Sequence, residues 1–259
     1  MLTTALLKDN SKKVLEKTYW MSFLACLIPG AISGTAISIV YGITTGFSFV
    51  TQFGTLISNP DSAFAILSSI GSMVMFMICG LFCTAIAMLF SNVMAVGVSS
   101  FFINSRKTLK PELTDLFNPF RKGYWNTVVT MFLYSLFIYL WSLLFIIPGF
   151  IKMLEYFMVK YIIAENPMMS YERAFDISKK TMNGEKGFLF ELYLSFIGWF
   201  LLAYFTCGVG APVLLPYIAA TEAEYYTYPK AKAIKFGYAT ESDFSGETYN
   251  ISPEVNTTV

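Results

Sequence analysis

Long uncharged apolar runs alternate with short basic clusters along the chain. The first run starts at Tyr19, after Lys8, Lys12, Lys13 and Lys17. A helix needs about 20 apolar residues to cross the hydrocarbon core of a bilayer, so this run predicts a span over about 19–43, with 44–60 as an outer loop. The run from Ala63 to Asn104 would be roughly 60 Å long as a helix, enough for two crossings. Two crossings would put Arg106, Lys107, Lys110, Arg121 and Lys122 outside, against the tendency of Lys and Arg to stay in the cytoplasm. One crossing is therefore expected, over about 65–90, with 92–104 continuing as a helix at the cytoplasmic face or beneath other helices.

The uncharged run Trp125 to Ile147 predicts a third span over about 125–147. The next segment, 149–164, would be only about 22 Å long. It is expected to cross because the basic groups at 106–122 and 173–186 would otherwise lie on opposite sides. Spans over about 188–207 and 211–226 complete the pattern. The expected fold is all-α: a polytopic membrane helical bundle of about six spans, with both termini cytoplasmic. Residues 1–228 form one transmembrane domain, and 229–259 form a polar, disordered tail.

Helix-breaking residues punctuate these runs. Pro29-Gly30, Pro148-Gly149, Gly208, Gly210 with Pro212, and Pro216 are expected to kink or end helices. Gly30 and Gly34 form a GxxxG pair suited to close helix packing. Leu113, Leu116, Phe117, Phe120 and Tyr124 recur at helical spacing and predict an amphipathic interfacial helix. Ser170 is placed to cap a short helix reaching Met182, with Asn183-Gly184 ending it. The stretch 27–32 echoes 146–151, which raises the question of an internal repeat.

Composition agrees with the pattern. The chain has 259 residues, 55% hydrophobic and 14% charged, with a formal net charge of +1. Soluble domains carry about 25% charged residues. A disordered chain, a disulfide-stapled secreted domain and a basic nucleic-acid binder are excluded. Histidine is absent, which removes Ser-His-Asp and Cys-His catalysis and the His-ligated zinc motifs. Cys26, Cys79, Cys83 and Cys207 lie inside apolar runs. Cys79 and Cys83 share a helix face, yet no further ligands lie within reach, so they read as small buried residues and no metal site is expected. No phosphate-binding loop and no cofactor motif occurs. The acceptor patterns at Asn250 and Asn256 read as chance in a cytoplasmic tail.

The charges inside apolar segments are the candidate chemistry. A charge near the bilayer centre costs roughly 2.5–3.5 kcal/mol and needs a partner or water. On one helix, Lys152, Glu155, Tyr156 and Lys160 would share an arc of about 140°. They could line an aqueous or ligand cavity. Alternatively, Lys152 and Glu155 pair at i,i+3 while Lys160 snorkels to the inner interface. Glu191 suits the first turns of its helix or could partner Lys152 or Lys186. Glu222 and Glu224 are two apart, point to different helix faces and form no dyad.

The C-terminal half carries a resemblance. Ile147-Pro-Gly-Phe-Ile-Lys152, Glu165-Asn-Pro167, Ser178 with Met182 and Gly184, Leu194-Ser-Phe-Ile-Gly-Trp199, Thr206-Cys-Gly-Val-Gly210 and Pro216-Tyr217 occur in order. This series resembles the bacterial membrane-protein family known as domain of unknown function 975. The resemblance covers about residues 1–228, with its specific motifs within 147–226. Glu185-Lys186 departs mildly from a stretch that is usually basic or His-containing. The resemblance implies a multi-pass protein of the bacterial cell membrane and no particular reaction. Physically, Ser195 and Gly198 are small residues that let helices approach, and Trp199 is a packing or interface group.

Two functions are expected from these features. The first is a non-enzymatic scaffold, exporter accessory subunit or protective factor acting through a membrane partner. The alternative is transport of a small solute, peptide or lipid by the polar face around Lys152 and Glu155. The implied partners are the lipid bilayer and a membrane protein or a second copy of the chain, with no nucleic acid.

Overall fold

A computed structural model describes residues 3–58, 63–108, 111–121, 123–206 and 210–244. Among them the regular structure is all helical, without strands. The helices are α1 (Thr4–Ser58), α2 (Ala63–Thr108), α3 (Asn118–Arg121), α4 (Tyr124–Leu144), α5 (Ile146–Glu155), α6 (Val159–Glu165), α7 (Tyr171–Thr181), α8 (Lys186–Leu194), α9 (Ile197–Phe205) and α10 (Ala211–Lys235). Short 3-10 turns cover Leu113–Phe117 and Glu241–Phe244. Three helical stretches among the described residues are long and apolar enough to cross a membrane: Ser69–Thr108, Tyr124–Leu144 and Lys186–Phe205. The protein is thus an all-helical chain of membrane character.

The chain divides into two compact units, Met1–Leu27 with Asn92–Val259, and Ile28–Ser91. In the second unit, the Tyr41 ring meets Phe76 edge-on at 6.1 Å and lies over Gly80. Ile43, Phe47, Phe53, Met75, Leu81 and Phe82 are all exposed there. A helix apolar all round belongs in a protein core or in lipid.

The first unit has an ordinary core. Val93, Met94, Phe101, Leu116, Met158, Ile162, Ile177, Leu189, Phe196 and Tyr225 are buried. It also holds most of the ionisable groups of interest.

Several helix breaks differ from expectation. Pro29-Gly30 lies inside the unbroken α1. Proline forfeits one ladder bond, but ending a helix in apolar surroundings would leave several backbone groups unpaired, so the helix continues. The same helix covers 44–58, where an outer loop was expected. Gly30 and Gly34 are exposed, with open space where a side chain would point, so no described helix packs on the pair.

The break before Pro148 falls at Phe145, which is extended between α4 and α5. A proline ring clashes with the carbonyl four residues earlier, which is that of Leu144. Pro148 sits instead in the first turn of α5, where the missing N–H costs nothing. Gly149 allows the two helices to close: a Cβ there would lie 2.0 Å from the Ser142 hydroxyl. Gly208 and Cys207 lie outside the described residues. Gly210 donates its N–H to the Thr206 hydroxyl at 3.0 Å, and Pro216 is buried within α10 without ending it. The stretch 27–32 is interior to α1, whereas 146–151 opens α5, so the echo marks no shared structure.

The run 63–104 forms one helix, and its part from Asn92 onward is largely buried in the first unit. The amphipathic stretch 113–124 is not one helix. It divides into the 3-10 turn, α3 and the start of α4, with Gly123 left-handed at φ 63°. That glycine is required, because a Cβ would strike the Pro167 carbonyl at 2.4 Å. Ser170 precedes α7 as expected but makes no side-chain cap bond. Gly184 is left-handed after it. The expected tail is structured as far as Phe244: α10 runs to Lys235, Phe244 is buried, and Asp243 pairs with Arg173 at 3.0 Å. Asn250 and Asn256 lie outside the described residues.

Candidate functional site

The charged groups of the first unit are built mainly on α5, α6, α8 and α10. On α5, Glu155 is buried and its two oxygens accept Lys152 Nζ at 2.7 Å and Lys186 Nζ at 2.6 Å. The i,i+3 pair expected from spacing is therefore present, joined by a second lysine from α8. Lys152 Nζ also lies 5.4 Å from the ring centres of both Trp141 and Tyr156, within reach of cation–π attraction. The Ser178 hydroxyl donates to the Glu155 carbonyl at 2.7 Å, which ties α7 to the same point.

The single arc of Lys152, Glu155, Tyr156 and Lys160 does not exist. The helix is interrupted by a turn at 156–158, which rotates Lys160 away from Glu155. Lys160 bonds Glu222 on α10 at 2.6 Å rather than snorkelling outward. The Tyr161 hydroxyl donates to the same Glu222 oxygen at 3.2 Å, and the Tyr193 hydroxyl donates to the other at 2.9 Å. Tyr156 instead packs edge-on against Phe175, 4.9 Å between rings. Glu191 is exposed, and Lys186 goes to Glu155 instead.

Two further carboxylates complete the set. Glu165 accepts Lys230 Nζ at 2.7 Å on both oxygens and the Tyr226 hydroxyl at 2.8 Å. Glu224 accepts the Arg106 guanidinium on both oxygens and the Asn10 amide at 3.3 Å. Glu222 and Glu224 thus serve different faces of α10, as their spacing requires.

The packing residues separate into two kinds. Ser195 lies in the turn between α8 and α9, and its carbonyl accepts Lys8 Nζ at 2.9 Å. The same ammonium sits 4.3 Å from the Phe196 ring centre. Gly198 faces open space, and Trp199 is half exposed.

Chemically, each carboxylate has its own cation and at least one further donor. Among the described residues each of these four carboxylates accepts from a cation rather than from another carboxyl group. Among the described residues no group of three His, Cys, Asp or Glu could hold a metal ion. Sequence reasoning missed Glu165, Lys230 and Arg106, whose partners lie far away along the chain. The available signal was the presence of Glu222 and Glu224 in an otherwise apolar helix.

No curated protein and no solved structure matches the chain. A family model described as "Protein of unknown function (DUF975)" matches residues 143–232. This range contains every motif of the resemblance; the model leaves residues 1–142 unmatched. The match to this family model runs from the end of α4 through most of α10 and includes Glu155, Glu165, Glu222 and Glu224.

Proposed function

We propose that this chain is a multi-pass protein of a bacterial cell membrane that acts without catalysis, as a scaffold or an accessory or protective factor for a membrane partner. The observation that carries this reading is the pairing of Glu155, Glu165, Glu222 and Glu224, each with its own cation. A transport route needs ionisable groups that water or substrate can reach. Neutralised pairs with tyrosine donors suit a fixed interior instead. A partner would meet the lipid-facing apolar side of α9, where Trp199, Tyr204 and Phe205 are exposed.

The threading proposed is about six crossings with both termini in the cytoplasm. Its support is the company kept by the basic clusters. Lys107 and Lys230 both approach Glu165, Lys232 bonds Glu185, and Asn10 and Arg106 meet at Glu224. Groups that share such contacts belong on one side of a membrane, and Lys and Arg favour the cytoplasmic side.

The test is in-cell photo-crosslinking from residues 199 and 204, with residue 179 on the exposed face of α7 as control. The reading expects one discrete crosslinked membrane protein, or a second copy of the chain, from the α9 positions alone. Crosslinks to lipid only would overturn it.

A further inference from the structure

A cleft of about 730 Å³ opens in the first unit between the end of α2, α3, the end of α6 and the last 3-10 turn. Its polar lining is Ser100, Asn104, Lys107, Asn118, Arg121 and Glu165. Glu165 is the single carboxylate among these lining residues, and its charge is answered by Lys230 and the Tyr226 hydroxyl. Lys107 approaches it at 4.0 Å. Asp115, the next carboxylate, is engaged with the Asn118 amide at 3.2 Å. That amide also bonds the Ser100 oxygen at 3.4 Å, which leaves the Ser100 proton available to donate. Arg121 is exposed and makes no ion pair with a described carboxylate. Among the lining side chains two cations, Lys107 and Arg121, therefore stand against one carboxylate, Glu165, which Lys230 already pairs, and the cleft is bordered by N–H and O–H donors. Such a cleft suits an anion, and a guanidinium beside an ammonium suits a phosphate in particular.

Its position narrows the ligand. Arg106 and Lys107 occupy the last turn of the apolar stretch Ser69–Thr108. Tyr124 and Trp125 open α4, and Trp125 is 77% exposed, as a residue of the aromatic interface belt would be. Basic pockets at the cytoplasmic ends of membrane helices hold anionic headgroups. We propose that this cleft binds a phosphate-bearing anion. A phospholipid headgroup and a soluble phosphate ester present the same chemistry there. The lipid source rests on the membrane threading proposed above; the phosphate chemistry does not.

The test uses the full chain purified in a neutral detergent. Binding of short-chain phosphatidylglycerol and phosphatidylcholine is measured by native mass spectrometry, and binding of inorganic phosphate and glycerol phosphate by calorimetry. The variants are Arg121→Gln, the double variant Lys107→Gln with Arg121→Gln, and Lys179→Gln as an equal charge change elsewhere. The proposal expects preference for phosphatidylglycerol or measurable phosphate binding, weakened at least tenfold by the double variant and unaffected by Lys179→Gln. Binding of phosphatidylglycerol without free phosphate assigns a lipid. Binding of glycerol phosphate with no lipid preference assigns a soluble ester. Equal retention of both lipids with no phosphate binding overturns the proposal, as does an unchanged double variant. Thermal unfolding of each variant controls for folding. Arg121→Gln carries the test alone if the Lys107 change unfolds the chain, because Arg121 is exposed. None of these outcomes depends on whether a protein partner exists.

Discussion

Lys160 on α6 and Glu222 on α10 meet at 2.6 Å across 62 residues of sequence. Tyr161 and Tyr193 donate to the same carboxylate, so three elements converge on one charge. The Lys160 and Glu222 side chains are largely shielded, at 24% and 13% exposure. Removing one member of a shielded pair leaves the other charge uncompensated, which costs about 3–5 kcal/mol.

Lys160→Met is therefore expected to destabilise the protein by about that amount. The double variant Lys160→Met with Glu222→Gln should recover much of the loss. Thermal unfolding of the detergent-solubilised full chain reads both. Equal stability of the single variant and the parent would show that the pair is solvated.

Gly97 supplies a second prediction. A Cβ at this position would lie 2.0 Å from the Leu116 carbonyl, which is backbone and cannot swing aside. Gly97→Ala should push the 113–117 turn off α2 and cost about 1–3 kcal/mol, as overpacking does. Gly30→Ala and Gly34→Ala meet open space. They should leave the isolated chain as stable as before, or slightly more so through helix propensity. The same unfolding measurement checks all three.

These contrasts mark what the sequence could disclose. Helical class followed from long apolar runs, and the Lys152–Glu155 pair followed from local i,i+3 geometry. Lys160–Glu222 and Lys230–Glu165 join segments whose approach depends on tertiary packing. The spacing rule that extended one arc from Lys152 to Lys160 failed because three residues of turn at 156–158 change the helical phase. Pro29 misled because proline's local cost is outweighed where an apolar environment demands a continuous hydrogen-bond ladder. The cleft was hidden because its walls come from four separate stretches of chain.

The C-terminal clasp should respond to acid. Burial alone would raise the Asp243 carboxyl, but the Thr240 N–H, the Arg173 guanidinium and the Thr240 hydroxyl outweigh it and hold it below the usual aspartate range. A carboxylate with a lowered folded pKa adds stability above its unfolded value, about 3.9, and loses it as pH falls through the folded value. Residues 240–244 should stay protected from hydrogen exchange at pH 5–7 and open below about pH 4. Arg173→Gln should open the segment at neutral pH. Protection unchanged by acid and by this substitution would refute the clasp.

The proposed function requires a dry, paired interior. The most direct measurement replaces Cys26, Cys79, Cys83 and Cys207 and places single cysteines at Met158 and Ile162, which flank Lys160 and are fully buried. A cysteine at Lys179, on the exposed side of α7, is the positive control. A membrane-impermeant thiol reagent is applied to intact cells and to inverted vesicles. Labelling is expected at 179 from inverted vesicles only, with none at 158 or 162 from either side. Labelling at 158 and 162 in a protein that still inserts would contradict it, and would make a water-accessible transport route the better reading.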